Sequence, residues 1–139
     1  MAGPAEAYFR LALPEPMAAD PEFTPVFRAL RAVLAEYEPR LTVVHDTPTH
    51  YYLDTHTLGR NKKPIMFGAV RMTKSYVSYH FMPVYVRDGL LVRMSPSLKK
   101  RMQGKACFNL RTVDPALIDE LAAITRRGYE AWKKLRWVD

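Results

Sequence analysis

Cysteine is nearly absent from this chain: Cys107 stands alone among 139 residues. An internal disulfide is therefore excluded, and so is the Cys-x-x-Cys spacing of a zinc ribbon or a redox pair. A lone cysteine fits a reducing compartment. Long apolar runs are missing as well. No stretch approaches the roughly 18 apolar residues of a membrane-spanning helix. Pro4, Pro14 and Pro16 interrupt the first residues, where no secretory signal is visible. The expectation is a cytoplasmic protein with no membrane association.

Acidic residues are in short supply. Asp and Glu number 14 against 21 Lys and Arg, a formal charge of +7. Such a balance keeps a small protein in solution and favours anionic partners. The cations gather at Arg60, Lys62 and Lys63; at Lys99, Lys100, Arg101 and Lys105; at Arg126 and Arg127; and at Lys133, Lys134 and Arg136. Nucleic acid is a partner this charge allows, but no RNP motif or zinc-finger spacing accompanies it. Lys99, Lys100 and Arg101 read as a solvated helix face or, alternatively, an anion site. The Gly104-Lys105 pair is no P-loop, since the upstream glycine and the following Ser or Thr are missing.

What is present describes one domain. A chain of this length can bury a core without a staple. Residues 1–20 are rich in Ala and Pro and read as an N-terminal arm, with Tyr8, Phe9, Leu11 and Leu13 available to dock on the body. Residues 21–139 form the domain. Asp20-Pro21, Ser95-Pro96 and Asp114-Pro115 each place a capping oxygen before a proline, which loses no bond it needed at the first helical position. Three helices are expected: about 21–37, a short basic one over 96–102 with Gly104 as its stop, and about 115–135. In the first, Phe23, Phe27, Leu30 and Leu34 share a face; in the last, Leu117, Leu121, Ile124, Gly128, Trp132 and Leu135 form one stripe. Gly128 within that stripe points to close approach of another backbone, with a flexible hinge as the alternative.

Strand patterning fills the middle. A sheet of four to five strands is expected, from segments over 41–45, 50–55, 65–72, 76–85 and 105–110. Tyr51, Leu53 and Thr55 alternate with His50, Tyr52 and Asp54; Val77, Tyr79 and Phe81 with Tyr76, Ser78, His80 and Met82; Ala106, Phe108 and Leu110 with Lys105, Cys107 and Asn109. Short connections argue for an antiparallel sheet. The fold class is α+β, a curved antiparallel sheet flanked by two larger helices and one short one.

Three candidate chemistries follow from the polar strand faces. Tyr52, Ser78, His80, Lys105, Cys107 and Asn109 could line a small-ligand site, because pockets combine apolar walls with a few convergent polar groups; exposure to solvent or cover by another surface is the alternative. His50, Asp54, His56 and His80 offer imidazole and oxygen donors for a divalent metal, provided that neighbouring strands bring them together. Cys107 with Lys105 nearby could hold a reactive thiolate, with His80 or His50 as its base; a space-filling thiol is the alternative.

The runs HDTPTHYYLDT, KKPIMFGAVRMTKSYVSYHFMPVY and SPSLKKRMQGKACFNL, with the closing helix, resemble the YdhG-like family, a domain of unknown function. The likeness covers roughly residues 23–132, and MQGKACFNL before an Asp-capped helix is its most specific piece. It implies an α+β domain with a curved antiparallel sheet and no secure activity. Some relatives are described as frataxin-like iron chaperones, which present carboxylate ridges to hard iron ions. This chain departs from that pattern, with only Glu22, Glu36 and Glu38 about its first helix.

The functional expectation is a non-catalytic binding module that holds a small ligand or metal ion on one sheet face and carries no resident cofactor. An electrostatic nucleic-acid binder is the alternative, and a small enzyme using His80 or Cys107 the third reading. A strand edge open to a second copy makes a homodimer one expectation and a monomer the other.

Overall fold

The computed structural model describes residues 18–86 and 88–139, with the side chain of residue 88 also outside the description. Most of the expected arm lies outside the described residues. Helix α1 spans Thr24–Ala35, followed by a 3-10 turn at Glu38–Arg40. Strands β1 (Thr42–Thr47), β2 (His50–Leu58), β3 (Pro64–Met72) and β4 (Val77–Phe81) form a meander. A short helix α2 (Pro83–Val86), a 3-10 turn (Asp88–Leu91) and a second short helix α3 (Pro96–Lys99) follow. Strands β5 (Met102–Gln103) and β6 (Cys107–Leu110) and the long helix α4 (Pro115–Lys134) complete the chain. The sheet is open, antiparallel and six-stranded, in the order β1-β2-β3-β4-β6-β5.

The cap–proline pairs work as local chemistry requires. Ser95 Oγ accepts from the Leu98 N–H at 3.1 Å, and Asp114 Oδ1 from that of Leu117 at 3.3 Å. Glu120 on α4 accepts from both the Ser95 N–H (2.7 Å) and its hydroxyl (2.6 Å), which ties α3 to α4. Asp20 acts one turn before α1: its carboxylate accepts from the Glu22 N–H and its carbonyl from those of Phe23 and Thr24.

Several expected boundaries move. The first helix spans Thr24–Ala35 rather than about 21–37, with Phe23 as its N-cap. The basic helix stops at Lys99, and Met102 leaves it to pair with Phe108, adding a sixth strand. Gly104, with φ of 70°, serves the hairpin between β5 and β6 rather than ending a helix. The fourth strand ends at Phe81, because Pro83 opens α2. No helix among the described residues is long and apolar enough to cross a membrane.

Helices α1 and α4 cover one sheet face. Val26, Phe27, Leu30 and Leu34 from α1 and Leu117, Leu121, Ile124 and Trp132 from α4 bury themselves against Tyr51, Leu53, Phe67, Tyr79, Phe81 and Phe108. Arg31 clamps the β1–β2 hairpin: its guanidinium lies 4.2 Å over the Tyr51 ring and 3.0 Å from the Asp46 carboxylate. Gly128 does mark a close approach, to side chains rather than backbone. A Cβ there would lie 2.5 Å from the Phe81 ring and 3.0 Å from Pro83. Leu135 falls off the buried stripe, 43% exposed, because α4 ends and Arg136 (φ 62°) turns the chain so that Trp137 packs 5.2 Å from Trp132.

Candidate functional site

The two long helices lie on the core side of the sheet. On the other side, where Tyr85 of α2 comes within 6.3 Å of the His80 ring, strand register arranges the side chains in rows. His45 pairs with Tyr52, Tyr52 with Ala69, Ala69 with His80, His80 with Cys107 and Cys107 with Gln103. The neighbouring row runs from Thr47 through His50, Arg71 and Ser78 to Asn109. Paired residues on adjacent strands project to the same face. The sequence-predicted Tyr52, Ser78, His80, Cys107 and Asn109 therefore do share a surface, and all five are half-buried.

Lys105 is the exception. It lies in the exposed turn before β6, because Ala106 buries itself and pairing begins only at Cys107. Its expected effect on the thiol is overturned too. Burial pushes the Cys107 thiol up, against an opposing hydrogen bond with Ser78. Burial also holds the His80 imidazole below its usual range. His80 Nδ1 sits 2.7 Å from Cys107 Sγ and Nε2 3.3 Å from Met82 Sδ. Both shifts favour a neutral thiol beside a neutral imidazole, and the imidazole tautomer sets which of the two donates across the 2.7 Å contact. Burial thus disfavours the thiolate–imidazolium form that a cysteine nucleophile uses, and among the described residues the imidazole nitrogens meet Cys107 and Met82 rather than a carboxylate.

The four proposed metal ligands are not assembled. His50 and His80 stand on strands separated by β3, facing Arg71 and Ala69 respectively. His56 lies at the far end of β2, beside a recess of about 80 Å³ that Arg40 and Trp137 also line. Asp54 pairs with Thr42 and Met66, and its Oδ1 is buried with no hydrogen-bond partner. Burial raises its carboxyl accordingly. Among the described residues, no three His, Cys, Asp or Glu side chains converge in a way that could hold a metal ion.

Two features escaped the sequence. His45 stacks on His50 with ring centroids 4.6 Å apart, and Tyr52 meets both rings edge-on. The signal was the Pro48–Thr49 turn, which joins β1 to β2 and pairs Thr47 with His50; the bulge at Val44 then brings His45 opposite Tyr52. The second is a cleft of about 170 Å³ at the β6 end of the face. Tyr76, Asn109, Lys100, Arg101 and Arg111 line it, with no carboxylate among them. Of the expected anion-binding set, Lys100 and Arg101 reach this cleft and Lys99 does not; Arg111 takes the third cationic place. Arg111 Nε donates to the Ser75 carbonyl at 2.9 Å, and Asn109 Nδ2 to Gln103 Oε1 at 2.8 Å, so both are held in position.

The two depressed histidines carry a pH consequence. His50 is lowered by burial first, then by His45 and Arg71; His80 by burial. Unfolding lets each imidazole return toward its ordinary value of 6.5, so the unfolded chain binds more protons in the window below it. Stability is therefore full above that value and declines as pH falls through the folded values. The Asp54 contribution has the opposite sign and lies nearer the carboxylate range. The melting temperature should drop between neutral and mildly acidic pH. His80→Gln and His50→Gln should each flatten that drop; an equal drop in the double variant would refute the assignment.

Comparison of the chain with protein-family models, with curated proteins and with solved structures returned no match.

Proposed function

We propose that this protein is a non-catalytic binding module that takes a small organic anion on the open face of its sheet. The observation that carries the reading is the pair of adjacent rows in which half-buried Tyr52, His80, Cys107, Ser78 and Asn109 lead toward the cationic cleft of Lys100, Arg101 and Arg111. Ala69 is the narrowest side chain of its row and lies between Tyr52 and His80. Two strand spacings, about 9–10 Å, separate the backbones that carry those rings, and Ala69 between them is 7% exposed. The cleft supplies the counter-charge for a carboxylate or phosphate on the same ligand, and arginine suits such groups because its fork is planar. The neutral Cys107–His80 pair weighs against an enzyme built on either residue, and the scattered histidines against a metal ion as the cargo.

Native mass spectrometry of protein purified without chelator, compared with its denatured mass, tests this. Extra native mass at one stoichiometry is the expected result. Ala69→Phe, which places a third ring in the row between Tyr52 and His80, should reduce the occupied fraction at least tenfold, and Lys100→Gln with Arg101→Gln should lower it as well. A bare protein that instead binds single-stranded nucleic acid, with affinity falling steeply in salt, would favour the electrostatic reading. Occupancy unchanged by Ala69→Phe would place the ligand elsewhere.

A further inference from the structure

A second cleft lies away from the open face, where α4 meets the segment that follows β4. Its volume is about 560 Å³, within the range of small-molecule sites, roughly 300–1,000 Å³. Spacing by four along α4 sets Arg126, Glu130 and Lys134 in one line, with Arg127 and Ala131 beside them. Opposite stand Val86, Gly89 and Leu90. The floor is apolar: Leu90 is 9% and Ala131 8% exposed. Arg127 Nη2 reaches the Leu90 carbonyl at 3.4 Å and links the two walls.

The α4 side of the rim is cationic. Arg126, Arg127 and Lys134 stand there with one carboxylate, Glu130, on the same helix. Among the described residues the ion pair within 4.0 Å is that of Arg31 and Asp46, so neither Arg126 nor Lys134 is within that distance of Glu130 or another described carboxylate. An apolar floor beneath a helix edge that carries three cations and one carboxylate complements a molecule with an apolar body and one negative end. Burying the body removes apolar surface from water, while a charged rim gives an anion more than it gives a neutral analogue.

We propose that this cleft is a binding site for a small amphipathic anion, an apolar body carrying a carboxylate, sulfonate or phosphate. The site is separate from the open face in position and in the residues that form it. Gly89 supplies a clean way to close it. A Cβ at Gly89 would meet no heavy atom within 4 Å, and its φ lies outside the left-handed range. Gly89→Phe can therefore fill the cleft without crowding the fold.

The probe is 8-anilinonaphthalene-1-sulfonate, titrated into the full chain at physiological salt and displaced by decanoate below its micelle concentration. Saturable single-site binding with displacement by decanoate is expected, and decanol, which lacks the charge, should compete at least tenfold more weakly. Gly89→Phe should weaken the probe at least tenfold with an unchanged melting temperature. Arg126→Glu combined with Lys134→Glu keeps the cleft open, reverses the rim and should weaken it to a similar degree. Ala69→Phe on the open face should leave it unchanged, so failure here is distinguishable from failure of the first site. Full probe affinity in both cleft variants would overturn the proposal. Binding to anionic phosphatidylglycerol vesicles without any binding of monomeric decanoate would overturn it too, in favour of a membrane surface.

Discussion

Gly128→Val is expected to cost more than about 3 kcal/mol, a large share of the roughly 5–15 kcal/mol that holds a domain together. The cause is the contact between α4 and the end of β4. A first carbon at this position already lies 2.5 and 2.6 Å from two atoms of the Phe81 ring. That ring cannot swing aside, because Phe81 is fully buried and packed against Phe67 and Tyr79. Pro83 closes the remaining side at 3.0 Å, and its ring is stiff. Gly128→Ala separates two explanations of the glycine. In an open helix it would gain about 1 kcal/mol of helix propensity, which is what a hinge glycine would show. Against Phe81 the crowding penalty of about 1–3 kcal/mol offsets that gain, and a net loss follows. Urea denaturation of both variants provides the measurement. Stabilisation by Gly128→Ala would mean that α4 stands further from the sheet than described.

Trp132→Ala is the second large effect, with an expected loss of about 3–5 kcal/mol. Trp132 is fully buried at the centre of the helix–sheet interface, 6.0 Å from Phe67 and 5.2 Å from Trp137 between ring centroids. Its truncation opens a cavity that three elements share, so no one of them can collapse into it alone. Trp132→Phe should behave differently. The indole Nε1 is buried with no hydrogen-bond partner, and an orphaned donor of that kind costs about 1–3 kcal/mol. Phenylalanine gives up some ring area but removes the donor, so the net change should stay within about 1 kcal/mol. Circular dichroism in urea is the suitable readout, because tryptophan emission changes with the substitution itself. A Trp132→Phe loss as large as that of Trp132→Ala would show that Nε1 is in fact satisfied.

Much of the fold was legible because its signals are local. An Asp or Ser before proline starts a helix whatever lies far away; Ser95 and Asp114 did so, whereas Asp20-Pro21 opens only the turn before the first helix, whose N-cap is Phe23. Alternation on β2, β4 and β6 separated the core face from the open one, and those assignments hold for Tyr51, Leu53, Val77, Tyr79, Phe81 and Phe108. What escaped depends on partners distant in sequence. Met102 and Gln103 are a strand only because β6 comes alongside them. His50 and His80 fail to meet because β3 lies between their strands, which no spacing in the sequence reveals. The same holds for the two clefts. Arg111 joins Lys100 and Arg101, and Arg126 faces Leu90, through tertiary packing alone.

Strand order also bears on how the chain acquires its structure as it emerges during synthesis. Every pairing except that of β4 with β6 joins consecutive strands, so the sheet can zip by successive hairpins at little loop-closure cost. Helix α1 is available from the start to shelter Leu53 and Gly68. The surface reserved for α4, with Phe67, Phe81 and Phe108, stays bare until α4 leaves the ribosome. The polar rows of the other face confine that exposed apolar surface to one side of the nascent sheet. A chain stalled before residue 115 would therefore present a single sticky face, which makes the final helix the natural point at which chaperone holding gives way to release.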